Sequence, residues 1–300
     1  MVSIPDGWIT ILARFRSVGV VVAASTLGIA VPGPGSGLEP LVGPLVAMLV
    51  YTSIRAADVG DVLERPWWLV SAGLIGTFLA LPVVAFGVGR AVLPPAALAG
   101  VVVVTAGPTT TGSALVWARL SDADVVLTAG ITFVTLFLAP VVTPLVITGL
   151  LGTGVSLSPV SLLIEVALVV AGGFVLAWIV PAGTVGERGL DRLSLAVIGT
   201  LVYVGIATSP FGTAVPADVG RVAVVALCVT VLVLGAATGA AAIPGVGSAR
   251  GRALFFATGL KNLGVAVVVS GALQAEGVVV AVVTYYVIQQ LVAGLVVARS

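Results

Sequence analysis

Ala257-Thr258-Gly259-Leu260-Lys261-Asn262-Leu263-Gly264 decides how this 300-residue chain is read. The octapeptide lies inside an apolar stretch from about Ala253 to Ala272, and Lys261 is the only lysine of the chain. A cation near the middle of a bilayer costs several kcal/mol or more, so it faces a protein interior or a water-filled path. Nine residues at a rise of about 1.5 Å each place it roughly 13 Å into the span, near the midplane of a core about 30 Å thick. Gly259, Asn262 and Gly264 mark a helix interruption at that depth. Broken backbone within a membrane is tolerated only where it is buried in protein or lines a cavity. A lysine that merely snorkelled to an interface would not need such neighbours. Lys261 reads as functional.

The rest of the chain supports a membrane setting. Charged residues make up 8% and hydrophobic residues 59%, whereas a soluble domain carries about 25% charged residues. The fold class is therefore all-α, a polytopic membrane protein. There is no histidine and one cysteine, Cys228, so disulfides within the chain and His/Cys metal sites are excluded. A net charge of +1 gives no basis for nucleic-acid binding.

Runs of about 20 apolar residues give ten transmembrane helices. Their approximate limits are 10–31, 38–54, 67–88, 94–118, 124–150, 159–181, 190–210, 220–243, 252–272 and 276–297. Arg14, Arg16, Arg55, Arg65, Arg119, Arg188, Arg192, Arg250, Arg252 and Arg299 fall on one side, and only Arg90 and Arg221 on the other. That asymmetry places both termini in the cytoplasm of a multi-pass protein of the cell membrane. The first span has no convincing cleavage site and Val31-Pro32-Gly33-Pro34-Gly35 after it reads as a turn, so no cleaved signal peptide is expected. Asp58, Asp61, Glu64, Asp122, Asp124, Glu187 and Asp191 read as solvated loop charges, and Trp8, Trp67 and Trp68 as an interfacial belt. Glu165, some six residues into the sixth span, is the intramembrane acid.

The Gly- and Ser-rich loop Gly149 to Pro159 divides the chain into residues 1–152 and 153–300, five spans each. An odd number of spans per half forces the second half to run inverted relative to the first. In each half the fourth span is interrupted, first at Thr105-Ala106-Gly107-Pro108-Thr109-Thr110-Thr111-Gly112-Ser113 and then around Lys261. Paired broken spans in inverted halves point to a carrier's binding site, where freed amides, carbonyls and half-helix dipoles meet. Thr109, Thr110, Thr111 and Ser113 put four hydroxyls at the first break. Thr128, Thr132 and Thr135 share one face of the next span. Each threonine could instead bond back to its own helix. Ser113, Thr109, Thr128, Thr132 and Asn262 are expected to face one water-accessible cavity. Gln289 and Gln290 are adjacent, so at most one is expected to point fully inward, and interhelical bonding is an equal reading for the pair.

These segments resemble the bile acid:sodium symporter superfamily over nearly the whole chain. Leu45-Val46-Ala47-Met48-Leu49-Val50-Tyr51 through Arg65-Pro66 looks like that family's second helix and following loop. Pro108 to Arg119, then Asp124, Leu127, Thr128, Thr132, Thr135, Pro140, Thr143 and Pro144, looks like its fourth and fifth helices. Gly259-Leu260-Lys261-Asn262 matches the break in its ninth, and Gln289, Gln290 and Gly294 a polar patch of its tenth. The resemblance implies a panel domain and a core domain, with the two broken helices crossing in the core. It also implies sodium-coupled uptake of organic anions, with two sodium ions near the crossing. Ser113, Thr128 and Thr132 match hydroxyl ligands of the first ion, but the asparagine expected after the serine is Ala114. The glutamate shared by both sites falls on Ala257, a glutamine of the second site on Thr77, and the glutamine before the asparagine of the ninth helix on Lys261.

A carboxylate is thus lost and an amine gained at one crossing. An ammonium repels a sodium ion about 4 Å away by about 4 kcal/mol at an effective dielectric near 20. The expectation is a secondary transporter of a small organic anion in which Lys261 replaces one or more coupling sodium ions. The coupling ion is then a residual sodium or a proton on the amine, and no further cofactor is expected. Glu165 is a candidate counter-charge, or the amine binds a substrate carboxylate directly. The alternatives are a cation/proton exchanger, with Lys261 or Glu165 as proton carrier, and an arsenite-type efflux carrier, weakened because Cys228 is at neither break. A membrane-embedded enzyme is disfavoured because no histidine and no intramembrane aspartate pair is present. A Ser113–Lys261 hydrolase remains conceivable. Substrate, transport direction and oligomeric state are not written in the sequence.

Overall fold

The computed structural model describes residues 16–56, 66–152, 159–208, 215–273 and 277–298. Trp8, Arg14, Asp58, Asp61, Glu64, Arg65, Arg299 and loop residues 153–158 lie outside the described residues, as do the side chains of Thr111 and Glu187. The regular elements among the described residues are all helical, with no strand among them. The helices are α1 (Arg16–Ala30), α2 (Gly33–Leu38), a 3-10 turn (Glu39–Leu41), α3 (Val42–Ala56), α4 (Trp67–Ile75) and α5 (Leu81–Gly89). They continue as α6 (Pro95–Ala106), α7 (Thr111–Leu120), α8 (Val125–Leu151), α9 (Pro159–Ile179) and α10 (Glu187–Ala207). The last four are α11 (Val215–Ala241), α12 (Gly247–Gly259), α13 (Leu263–Leu273) and α14 (Val278–Ala298).

Seven helical segments among the described residues are long and apolar enough to cross a membrane, and Val18–Ala30 and Pro95–Ala106 are shorter apolar helices. Their outer faces carry exposed Trp178, Leu168, Val160 and Phe137, a coat that water would not tolerate at this density but lipid would. Trp67 and Trp68 are also exposed, as an interfacial pair should be. Where a turn was expected after α1, the chain forms α2 instead. Pro34 sits in its first turn, where a missing N–H costs nothing.

Two groups of helices pack within themselves. In one, α3 packs on α9 and α10, and α10 on α1. Gly173 lets α9 approach α3 so closely that a Cβ there would lie 2.2 Å from Val50 Cγ1. In the other, α14 packs on α6 and α11, α11 on α12, and α8 on α7 and α12. The groups touch through α8 on α9, α7 on α3, and α13 on α3, α9 and α10.

Two local irregularities position the site. Between α4 and α5 the residues Gly76–Ala80 form a π segment, and the Leu81 N–H reaches back to the Gly76 carbonyl, five residues earlier. The next residue, Pro82, has no N–H. The Thr77 carbonyl, whose π-register donor would be residue 82, is therefore left without a helical partner. At the start of α8, Asp124 accepts from the Leu127 N–H at 3.0 Å and faces Arg250 at 3.8 Å. Asp124 is thus a partly buried helix cap and not a solvated loop charge. Its own N–H donates to the Ala249 carbonyl at 3.0 Å, tying α8 to α12.

Candidate functional site

The site begins with what the two breaks do to the backbone. Pro108 lacks an N–H and disfavours helical geometry for the residue before it. Gly107 accordingly turns extended, at φ −65° and ψ 163°. Leu260, at φ −99° and ψ 107°, ends α12 in the same way. The freed groups then satisfy one another, because buried backbone polar atoms must be paired. Thr110 N–H donates to Leu260 O at 3.0 Å and Asn262 N–H to Pro108 O at 2.9 Å, a single antiparallel bridge between Thr109 and Lys261. The two interruptions are one hydrogen-bonded unit.

Lys261 sits in that unit fully buried, at 0% exposure. Its Nζ donates to the Thr77 carbonyl at 2.9 Å and to the Gly107 carbonyl at 3.0 Å. Both acceptors were freed by sequence, the first by Pro82 in a π segment and the second by the turn at Gly107. The Lys261 peptide is bracketed by Gln289, whose Oε1 accepts from its N–H at 2.9 Å and whose Nε2 donates to its carbonyl at 3.1 Å. Among the described residues no ion pair or hydrogen bond joins Lys261 to a carboxylate. Glu165 is half-buried on α9 and is not bonded to it. Nor is Ser113, so the two do not form a nucleophile–base pair.

The remaining expected site residues divide into two layers. Thr77, Thr109, Thr128, Thr132, Thr135 and Asn262 are buried. Thr77 and Thr109 hydroxyls both donate to the Ala257 carbonyl, and the Thr135 hydroxyl accepts from the Thr109 N–H at 3.2 Å. Thr128 and Thr132 hydroxyls bond back to Asp124 O and Ala129 O at 2.9 Å. Asn262 Oδ1 accepts from the Val265 N–H at 3.2 Å and starts α13, while its Nδ2 has no hydrogen-bond partner. The threonine hydroxyls thus donate to carbonyls of helices and helix caps. Thr110 and Ser113 form the other layer and line a cavity of about 520 Å³ between the two helix groups.

That cavity was not anticipated. Its opposite wall is Thr52 and Ser53 of α3 and Ser194 of α10, with Ser194 Oγ donating to Thr52 Oγ1 at 2.8 Å. Arg55, Arg119 and Arg188 reach it, as do Arg16 and Asp191, paired at 3.3 Å. Arg55 also donates to the Ala177 and Val180 carbonyls at the end of α9. The positions of Ser and Thr near helix ends carried no signal in sequence, since only tertiary packing opposes α3 to α7. Gln289 and Gln290 were expected to compete for the interior, but both are at 0% exposure. They point to different elements: Gln289 to Lys261, and Gln290 to Trp117 and Ser113, whose Nε1 and Oγ it meets at 2.7 and 3.0 Å.

The set fits sodium poorly. At the second implied position the oxygen ligands are replaced by Thr77, Ala257 and Lys261, and an amine already holds the free carbonyls. At the first, three hydroxyls remain with no carboxylate, and Ser113 is engaged by Gln290. A cation bound among such groups would lack anionic charge and face a neighbouring amine.

The Uncharacterized sodium-dependent transporter YocS of Bacillus subtilis (strain 168) is 28% identical over 150 residues, 49% of this chain and 46% of that protein. The match thus spans about half the length of that relative. A model of the Sodium Bile acid symporter family matches residues 44–238, from α3 into α11 and short of the second break. That match covers more than half of the sequence, and the chain belongs to the Sodium Bile acid symporter family.

Proposed function

We propose that this protein is a secondary carrier that moves a small organic anion across the cytoplasmic membrane by alternating access, with the Lys261 amine standing in for a coupling sodium ion. The observation that carries the reading is the fully buried amine bonded to Thr77 O and Gly107 O where the two breaks meet. A charge-bearing group is not kept at such a place for stability alone. Family membership and a relative named as a sodium-dependent transporter support transport as the activity.

The architecture of the proposal has ten spans. The seven membrane-length segments are joined by α1 and by the broken pairs α6/α7 and α12/α13. Residues 1–152 and 153–300 form two inverted repeats, and the arginine asymmetry puts both termini in the cytoplasm. The group α1, α2, α3, α9 and α10 is the panel, and the remaining helices are the core. The arginine-rimmed cavity between them is then open toward the cytoplasm and holds the anion. Motion of core against panel carries the bridged breaks from one side to the other.

Melting of the purified protein with a panel of carboxylates, sulfonates and sterol acids tests the substrate class. At least one anion should raise the melting temperature in proportion to the logarithm of its concentration, in sodium-free buffer. Stabilisation only by an alkali cation, with no anion effective, would contradict the reading.

A further inference from the structure

Ser113 matches a sodium ligand by resemblance, yet its hydrogen bonds point to the opposite role. Trp117 Nε1 donates to Gln290 Oε1 at 2.7 Å, and an indole N–H can only donate. The carbonyl end of the Gln290 amide is therefore fixed on Trp117, and its NH₂ end faces Ser113 Oγ at 3.0 Å. Gln290 is fully buried and Trp117 nearly so, which holds the relay in one orientation. Ser113 Oγ is thus an acceptor from Gln290. Among the described residues the one hydrogen bond at Ser113 Oγ is the one it accepts from Gln290, and the side chain lines the cavity that Arg55, Arg119 and Arg188 share.

We propose that Ser113 is an anion-binding donor, its O–H directed at an oxyanion of the substrate (a carboxylate or sulfonate), with Gln290 and Trp117 as positioning residues. The proposal rests on the organic-anion reading above. Sodium coordination needs the oxygen lone pairs turned toward the ion. Here one is taken by an amide N–H whose positive end lies beside the oxygen, and the next residue, Ala114, offers no oxygen. The relay converts a cation ligand into an anion donor without changing the serine. Gln290→Glu reverses the polarity: a carboxylate accepts from both Trp117 and Ser113, so the serine lone pairs turn to the cavity.

The test uses the purified full chain, its melting followed with pyruvate, succinate, propanesulfonate and taurocholate, each with sodium and with choline as the cation. For whichever anion stabilises the wild type, Ser113→Ala and Gln290→Glu should each weaken the apparent Kd by about tenfold or more, the loss of one hydrogen bond to a charged group. Trp117→Phe, which frees the amide to flip, should weaken it less. Gln290→Glu should in addition become stabilised by sodium, a gain that loss of packing would not produce. If Gln290→Glu melts without ligand as an unfolded chain, Ser113→Ala alone decides. Wild-type affinity in Ser113→Ala, or sodium stabilisation of the wild type that Ser113→Ala removes, overturns the proposal. Failure of all four anions on the wild type sinks the organic-anion reading itself, and this inference with it.

Discussion

Replacing Lys261 by methionine separates a functional amine from a structural one. The substitution keeps an unbranched chain and removes both N–H···O bonds, to Thr77 O and Gly107 O. Each orphaned carbonyl costs about 1–3 kcal/mol. Against this stands the relief of no longer holding an amine away from water without a carboxylate partner, which is several kcal/mol for a charged group. The two effects nearly cancel, so the folded protein should stay within about 2 kcal/mol of wild type. Transport should nevertheless be lost, or persist without coupling. The assay pairs thermal unfolding of the purified variant with uptake into proteoliposomes of the anion found by melting. Normal uptake would show that the lysine is dispensable. Loss of fold by more than about 3 kcal/mol would make it a structural tie, as removal of one partner from a buried pair does.

Pro82→Ala restores an N–H next to the π segment, giving the Thr77 or Phe78 carbonyl a helical donor that competes with the Lys261 amine. Melting temperature should hold or rise while uptake falls severalfold, and unchanged uptake would remove Pro82 from the account. Lys261→Gln combined with Ala257→Glu removes the amine and returns a carboxylate to the crossing, so sodium should then accelerate uptake; indifference to sodium in the double variant would refute the ion-replacement reading. In a Cys228→Ser background, cysteines at Val155 and Glu187 should label from opposite sides of the membrane, and labelling from the same side would rule out the ten-span inverted arrangement.

The membrane-length apolar helices and both interruptions were legible because Gly, Pro and a lone lysine stand out in runs of Val, Leu and Ala. The expected limits 67–88 and 124–150 differ by one residue from the observed segments Trp67–Gly89 and Val125–Leu151. What the breaks contact was not legible. Lys261 bonds to backbone carbonyls, and nothing in the identities of Thr77 or Gly107 announces that their oxygens are free. The signal lay in Pro82, an apolar residue in an apolar run whose importance is a missing N–H. The threonines at 128, 132 and 135 are buried, and their hydroxyls turn to backbone carbonyls, an option open to any buried threonine. Thr52, Ser53 and Ser194 could not be assembled in advance, because their common cavity exists only once α3, α7 and α10 meet.

Sodium titration of wild-type uptake in proteoliposomes tests the central claim most directly. An anion found by melting is offered outside, and sodium is replaced stepwise by choline at constant ionic strength. With the Lys261 amine standing in for a coupling ion, uptake should continue without sodium, or depend on it with a Hill coefficient no greater than about one. A strict sodium requirement with a Hill coefficient near two would show that both ions still bind, and that Lys261 replaces neither.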